Sequence, residues 1–221
     1  MQQAQTYLSL GFIVDILQAT APIFILLLLS EFLWRAKILR GEAARKLLHI
    51  VIGSYVALWP YFLTFRTIQL LALAMFIVVA LSHRFKLFHA INDVHRKTKG
   101  DLLYAVGIGL VASLTHSPWI FAVAVLHMSV ADGLAGLVGS RYGKTSGYKI
   151  FGYQKSAIGT ATFVVSSFFI LAMLSPFHPF ATPAIVVAFL PFAAAALENI
   201  GVRGTDNVLI PLLIVAIFTI S

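Results

Sequence analysis

Long apolar runs separated by short polar segments dominate the chain, and the runs show no strict apolar/polar alternation. A half-buried strand alternates with period two, whereas a membrane-spanning helix needs roughly 17 to 25 mainly apolar residues in succession. Runs of the second kind lie near 12–34, 47–63, 66–82, 101–117, 118–138, 157–175, 180–198 and 207–220, which predicts about eight spans. His116-Ser117-Pro118 divides the fourth from the fifth, because a proline among polar residues marks a tight turn. Lipid offers no hydrogen bonds to a backbone, so unbroken apolar runs cross it as helices. The expected fold class is therefore all-α: a polytopic transmembrane helical bundle, one integral membrane domain over 1–221.

Composition sharpens this picture. The chain is 60% hydrophobic and only 11% charged, outside the range of soluble globular proteins. It has no cysteine, which excludes disulfides, thiolate metal sites and thiol nucleophiles. The first residues carry no basic n-region and no convincing cleavage site, so a signal peptide is not expected there. A formal charge of +8 invites a nucleic-acid reading, but the cations flank the apolar runs, so no nucleic-acid partner is expected and membrane lipids are. Fifteen of the 16 Lys and Arg residues fall in the odd-numbered loops, and Arg66 alone falls in an even one. By the positive-inside rule the odd loops are cytoplasmic and both termini are on the outer side. A multi-pass protein of the plasma (inner) membrane follows for a prokaryotic source.

Seven of the eight acidic residues lie in or beside the cytoplasmic half on this topology, with only Asp15 near the outer face. An acidic side chain at mid-membrane costs roughly 2.5 to 3.5 kcal/mol on insertion scales, so such residues face polar cavities. Carboxylates among many Lys and Arg suit a metal-bound polyphosphate. The most informative stretch runs from Ala131-Asp132 to Gly143-Lys144. Continued as a helix, it sets Asp132, Gly136, Gly139 and Gly143 on one face, open either to close approach of a phosphate or to small-residue helix packing. Its Gly139-Ser-Arg-Tyr-Gly143-Lys144-Thr145 is no P-loop: three residues separate the glycines instead of four, and an apolar span precedes them.

Lys155 and Ser156 open the sixth span, where a helix N-terminus would add anion-binding N–H groups. Glu198, Asp206 and Asn207 sit with two glycines between the last two spans, a costly linker unless it binds something. Arg45, Lys46 and His49 flank the first loop; His49 suits a phosphate contact, a proton shuttle or an interhelical hydrogen bond. His83, His89 and His95 share no tight helical face and read as surface residues, in a loop whose aromatic and basic residues suit an interfacial helix.

The ordered set Arg45-Lys46-x-x-His49-x-x-x-Gly53, Lys99-Gly100-Asp101, Asp132-Gly133-x-Ala135-x-x-x-Gly139-x-x-x-Gly143-Lys144, Lys155-Ser156-x-x-Gly159 and Glu198 with Asp206-Asn207-x-x-x-Pro211 resembles the membrane-embedded polyprenol kinase family, which includes dolichol kinase, phytol kinase and the CTP-dependent diacylglycerol kinase. The resemblance implies transfer of a γ-phosphate from CTP or ATP to a lipid alcohol, with Mg²⁺, at the cytoplasmic face. It makes Asp132 the principal magnesium ligand with Asp206 beside it. Lys144 and Lys155 become phosphate contacts, and Asp206, Asn207 and Glu198 complete the metal site or orient the hydroxyl. Gly136, Gly139, Arg141, Gly143, Ser156, Arg45, Lys46 and His49 fall on the nucleotide side of the site. Acceptors in the family range over phytol, other polyprenols and diacylglycerol.

Two other readings stand beside it. CDP-diacylglycerol synthases share the Ala-Asp motif with Gly-x-x-x-Gly-Lys and Lys-Ser/Thr-x-x-Gly, but end in a longer Pro-Gly-His-Gly-Gly signature absent here. A cation-coupled transporter would use the carboxylates for its ion, commonly at the midplane of paired repeats, and no repeat is evident. Gly139 and Gly143 suit packing within the fold or between chains, so the oligomeric state stays open.

Overall fold

The computed structural model describes residues 2–38, 41–85, 100–177 and 183–220. Nine helices carry the fold among them: α1 (Gln2–Arg35), α2 (Gly41–Val56), α3 (Phe65–Phe85), α4 (Gly100–Leu114), α5 (Pro118–Leu126), α6 (Asp132–Tyr142), α7 (Ala157–Leu174), α8 (Ala184–Ile200) and α9 (Asp206–Ile220). The fold is helical as expected. Four helical stretches, Leu10–Arg35, Phe65–Phe85, Pro118–Ser146 and Ala157–Phe177, are long and apolar enough to cross a membrane, and Gly100–Leu114, Ala184–Ile200 and Asp206–Thr219 are apolar but shorter.

Local chemistry sets most boundaries. The break at Ser117-Pro118 is present: Ser117 caps α5 by accepting the Ile120 N–H, and Pro118 occupies the first turn, where its missing donor costs nothing. Thr64 caps α3 through the Thr67 N–H. α2 departs from the expected 47–63 at both ends. It starts at Gly41, before the apolar run, and stops at Val56 because Pro60 lacks the N–H that would bond that residue's carbonyl; a short 3₁₀ turn, Trp59–Tyr61, follows. Beyond Phe85, the aromatic and basic loop with His89, His95 and Lys99 lies outside the described residues.

α5 and α6 form the centre, with 72% of their apolar window buried against 28% for α3 and α7 and 6% for α1, so the other helices wrap this one. Every residue from Trp119 to Val125 is buried. The outer helices leave large apolar side chains such as Phe24, Leu73, Phe169 and Phe189 exposed, the surface a bilayer would cover. A five-residue π-helical turn, His127–Ala131, joins α5 to α6.

One element is not all-α. Gly147–Ile150 (β1) pairs antiparallel with Tyr153–Ser156 (β2) in a hairpin whose two turn residues, Phe151 and Gly152, both have positive φ. It lies between α6 and α7.

Helices α4 and α9 pack closely at Gly107, where an added Cβ would lie 2.2 Å from the Asn207 carbonyl oxygen. Backbone cannot yield as a side-chain tip does. Gly107→Ala is expected to destabilise the fold by about 1–3 kcal/mol, read as a lowered midpoint of thermal unfolding in detergent.

Candidate functional site

The polar ends of α2, α6, α8 and α9, together with the hairpin, enclose a cavity of about 1010 Å³. Arg45, Lys46 and His49 reach it from α2, and Asp132, Gly136 and Gly139 from α6. Gly143 and Lys144 come from the turn after α6, Lys155 and Ser156 from β2, Glu198 from α8, and Asp206 and Asn207 from the head of α9. Arg141 alone among the expected site residues does not line it. It is roughly 200° around the helix from Gly139, and its guanidinium lies 5.6 Å over the Tyr142 ring.

At the floor, Asp132, Glu198 and Asp206 bring one carboxylate oxygen each to within 4.8 Å of the others. Like charges held so close need compensation. Lys46 Nζ donates to Asp132 Oδ2 at 2.6 Å, and Lys155 Nζ donates to Glu198 Oε1 at 2.5 Å and to the Glu198 carbonyl at 2.6 Å. Asp206 has no salt bridge among the described residues; its Oδ1 accepts the Asn207 N–H. Asn207 donates from Nδ2 to the Gly100 carbonyl at 2.8 Å, while its buried Oδ1 has no partner among the described residues. Three carboxylates and an unpartnered amide oxygen in one cavity are the hard oxygen donors that Mg²⁺ takes, so the residues present fit that ion.

Packing decides the use of the glycine face. A Cβ on Gly136 would meet Lys46 Cε at 2.5 Å, and on Gly143 it would meet Ser156 Oγ at 2.4 Å. On Gly139 it would lie 2.9 Å from that same Oγ and 3.2 Å from Gly159 Cα. The stripe serves small-residue packing, accommodating the Lys46 stem and the start of α7, and its three glycines also line the cavity. Ser156 caps that helix by accepting the Gly159 N–H at 3.1 Å. With Ser156, Gly159 and Thr160 all on the cavity wall, the positive end of the α7 dipole terminates there.

His49 has its hydrogen bond committed to packing as well. Its Nε2–H donates to the Met128 carbonyl at 3.1 Å, its ring lies 4.4 Å from that of Tyr104, and its Nε2 is 3.9 Å from Asp132 Oδ2. His83 is no free surface residue either, since its Nε2 lies 2.5 Å from Asp101 Oδ2 and ties α3 to α4.

Over an alignment of 191 residues, covering 84% of this chain and 82% of the relative, the sequence is 34% identical to the phytol kinase of Synechocystis sp.. The chain belongs to the polyprenol/phytol kinase family. No family model matches it, and no solved structure does. Of the readings open in the sequence, the relative supports the lipid-alcohol kinase.

Several residues of this family member escaped sequence reasoning. Tyr148 of β1 bonds Thr160 Oγ1 at 2.6 Å and donates to Asn199 Oδ1, tying the hairpin to α7 and to the neighbour of Glu198. Tyr153 of β2 accepts from Arg203 Nε at 2.6 Å, tying the hairpin to the α8–α9 loop. The two tyrosines anchor the strands that carry Lys155. Their alternation with Ile150 around Phe151-Gly152 was the available signal.

Lys46 and Asp132 are both nearly buried, with side chains 11% and 8% exposed. Removing one partner leaves the other charge uncompensated, so Lys46→Met is expected to destabilise by roughly 3–5 kcal/mol. Adding Asp132→Asn recovers most of the loss, which a double-mutant cycle by thermal unfolding reads directly.

Proposed function

We propose that this chain is a membrane lipid-alcohol kinase transferring the γ-phosphate of a nucleoside triphosphate, with CTP the favoured donor over ATP, to a phytol- or polyprenol-type alcohol or to diacylglycerol. The observation that carries this reading is the carboxylate triad between two lysines, in an open cavity at one end of an apolar bundle, in a member of the polyprenol/phytol kinase family. The whole of 1–221 acts as one membrane domain of eight crossings, with the cavity cytoplasmic and both termini outside. The Lys and Arg distribution supports that orientation.

In the reaction, the alcohol oxygen bonds to Pγ as the bond from Pγ to the β-bridging oxygen breaks. The hydroxyl proton is released, and a lipid phosphomonoester and a nucleoside diphosphate leave. Phosphoryl transfer asks mainly for positioning and charge neutralisation. Asp132 and Asp206, with Glu198, would hold Mg²⁺, which supplies positive charge to the polyphosphate when bound. Lys144, at the mouth, and Lys155, Lys46 and Arg45, deeper in, supply further positive charge around the phosphates. Asn207 and Glu198 hold the head of α9 and β2 in register, through Gly100 and Lys155. A lipid alcohol keeps its hydroxyl at headgroup level with its chain in the bilayer, so a site at helix ends meets it without extraction.

Purified protein in detergent, given γ-labelled CTP or ATP, Mg²⁺ and a panel of lipid alcohols, is expected to label a phytol- or polyprenol-type alcohol. Asp132→Asn should cut turnover roughly 100- to 1000-fold, the range for losing one preorganised electrostatic group. No label in any lipid with either nucleotide overturns the reading.

Orientation has its own test, because the chain has no cysteine. A membrane-impermeant maleimide should label Phe62→Cys in intact cells, and Lys149→Cys only after permeabilisation. The reverse pattern would invert the topology.

A further inference from the structure

Asp132 is the first residue after the π-helical turn His127–Ala131, and its own N–H bonds back to the His127 carbonyl, five residues earlier. An α-helix turns about 100° per residue, so one extra residue held within a turn sets everything after it back by about that angle. Before the turn, α5 is buried on every side and has no polar face to orient. After it, Asp132, Ala135, Gly136 and Gly139 face the cavity. The turn therefore decides where Asp132 points.

Two histidines pin it. His127 is fully buried, its Nδ1 lies 2.8 Å from the Val123 carbonyl and its Nε2 lies 2.8 Å from Ser167 Oγ on α7. A carbonyl only accepts, so Nδ1 carries the proton, and Nε2 accepts from the Ser167 hydroxyl. Both ring nitrogens are thus used in one neutral tautomer. From the opposite side, His49 of α2 donates to the carbonyl of Met128, the next residue in the turn. His127 lines no part of the cavity and touches nothing that reacts.

We infer that His127 is a positioning residue: by locking the π-helical turn to α7 it aims the Asp132 carboxylate at Glu198 and Asp206. This rests on the triad being a metal seat, as proposed above. The test is Mn²⁺ binding by the full chain in lipid nanodiscs, read from the electron paramagnetic resonance signal of free Mn²⁺, beside thermal unfolding without metal. The unaltered chain should bind, and Asp132→Asn should not. His127→Leu should raise the half-saturating Mn²⁺ concentration roughly 10- to 100-fold, the span typical of outer-shell partners of metal ligands. His127→Asn, which keeps a donor for the Val123 carbonyl, should recover part of that. Trp119→Phe serves as a destabilised control far along α5, since it breaks the 2.7 Å bond from Trp119 Nε1 to the Leu174 carbonyl. It should lower the unfolding midpoint and leave Mn²⁺ binding unchanged.

Unchanged affinity in His127→Leu, or equal weakening in Trp119→Phe, overturns the inference while leaving the kinase reading intact. If His127→Leu does not fold, Ser167→Ala carries the test: it removes only the hydroxyl on Nε2, and affinity equal to that of the unaltered chain overturns the inference. Absence of Mn²⁺ binding by the unaltered chain overturns the metal seat itself.

Discussion

Three carboxylates gathered at one end of an apolar bundle, two of them buried and one half-buried, are the constraint around which this molecule is organised. Asp132, Glu198 and Asp206 arrive from three separate helices and stand within 4.8 Å of one another. Low-dielectric surroundings amplify both their repulsion and the attraction of any cation placed beside them. Lys46 and Lys155 supply that cation at two of the three, and each must come from outside the helices that carry the acids. This requirement explains why α2 begins well before its apolar run, and why ten residues between α6 and α7 fold into a hairpin. The small residues follow from the same demand. Gly136 makes room for the Lys46 stem, and Gly139 and Gly143 let Ser156 bring β2, and with it Lys155, against α6.

What the sequence made legible was whatever a single segment encodes. Apolar runs located the long helices, and Ser117-Pro118 located the break between α4 and α5, because capping and proline chemistry are local. The start of α2 was hidden because its first turns line a polar cavity and carry no apolar signature. The hairpin was hidden because Phe151 has no intrinsic preference for the positive φ it adopts. Which residues line the cavity was largely readable as an order of motifs, yet their pairings were not. Lys46 and Asp132 are 86 positions apart, and nothing between them announces that they meet. Arg141 shows the converse: it stands between Gly139 and Gly143 in sequence, and helical phase places it on a face that does not line the cavity.

The π-helical turn is the clearest case of information that resides only in packing. One extra residue in a turn leaves no mark in composition or periodicity, because α5 is apolar all round and any phase would look the same. The turn becomes meaningful only once Ser167, Val123 and the His49–Met128 bond fix it from both sides. A buried histidine with both nitrogens satisfied is usually taken as inert packing. Here its position one turn before the Asp132 carboxylate gives that packing a direction.

In a P-loop, glycines let backbone N–H groups wrap a phosphate, so anion binding and glycine spacing are one device. In this chain the two are separated. The glycines bring helices and lysines together, and on the proposed reading the charge for a phosphate would come from Lys46, Lys155, Lys144 and the first turn of α7. A site built this way depends on side chains held by neighbours instead of a loop shaped by its own backbone. Affinity for a polyphosphate, on the proposed reading, would then rest on the integrity of the bundle end as a whole. On the proposed reading that also fits a substrate divided between two phases: the nucleotide would meet a polar floor, and the alcohol would reach it from lipid along the apolar walls of the same helices.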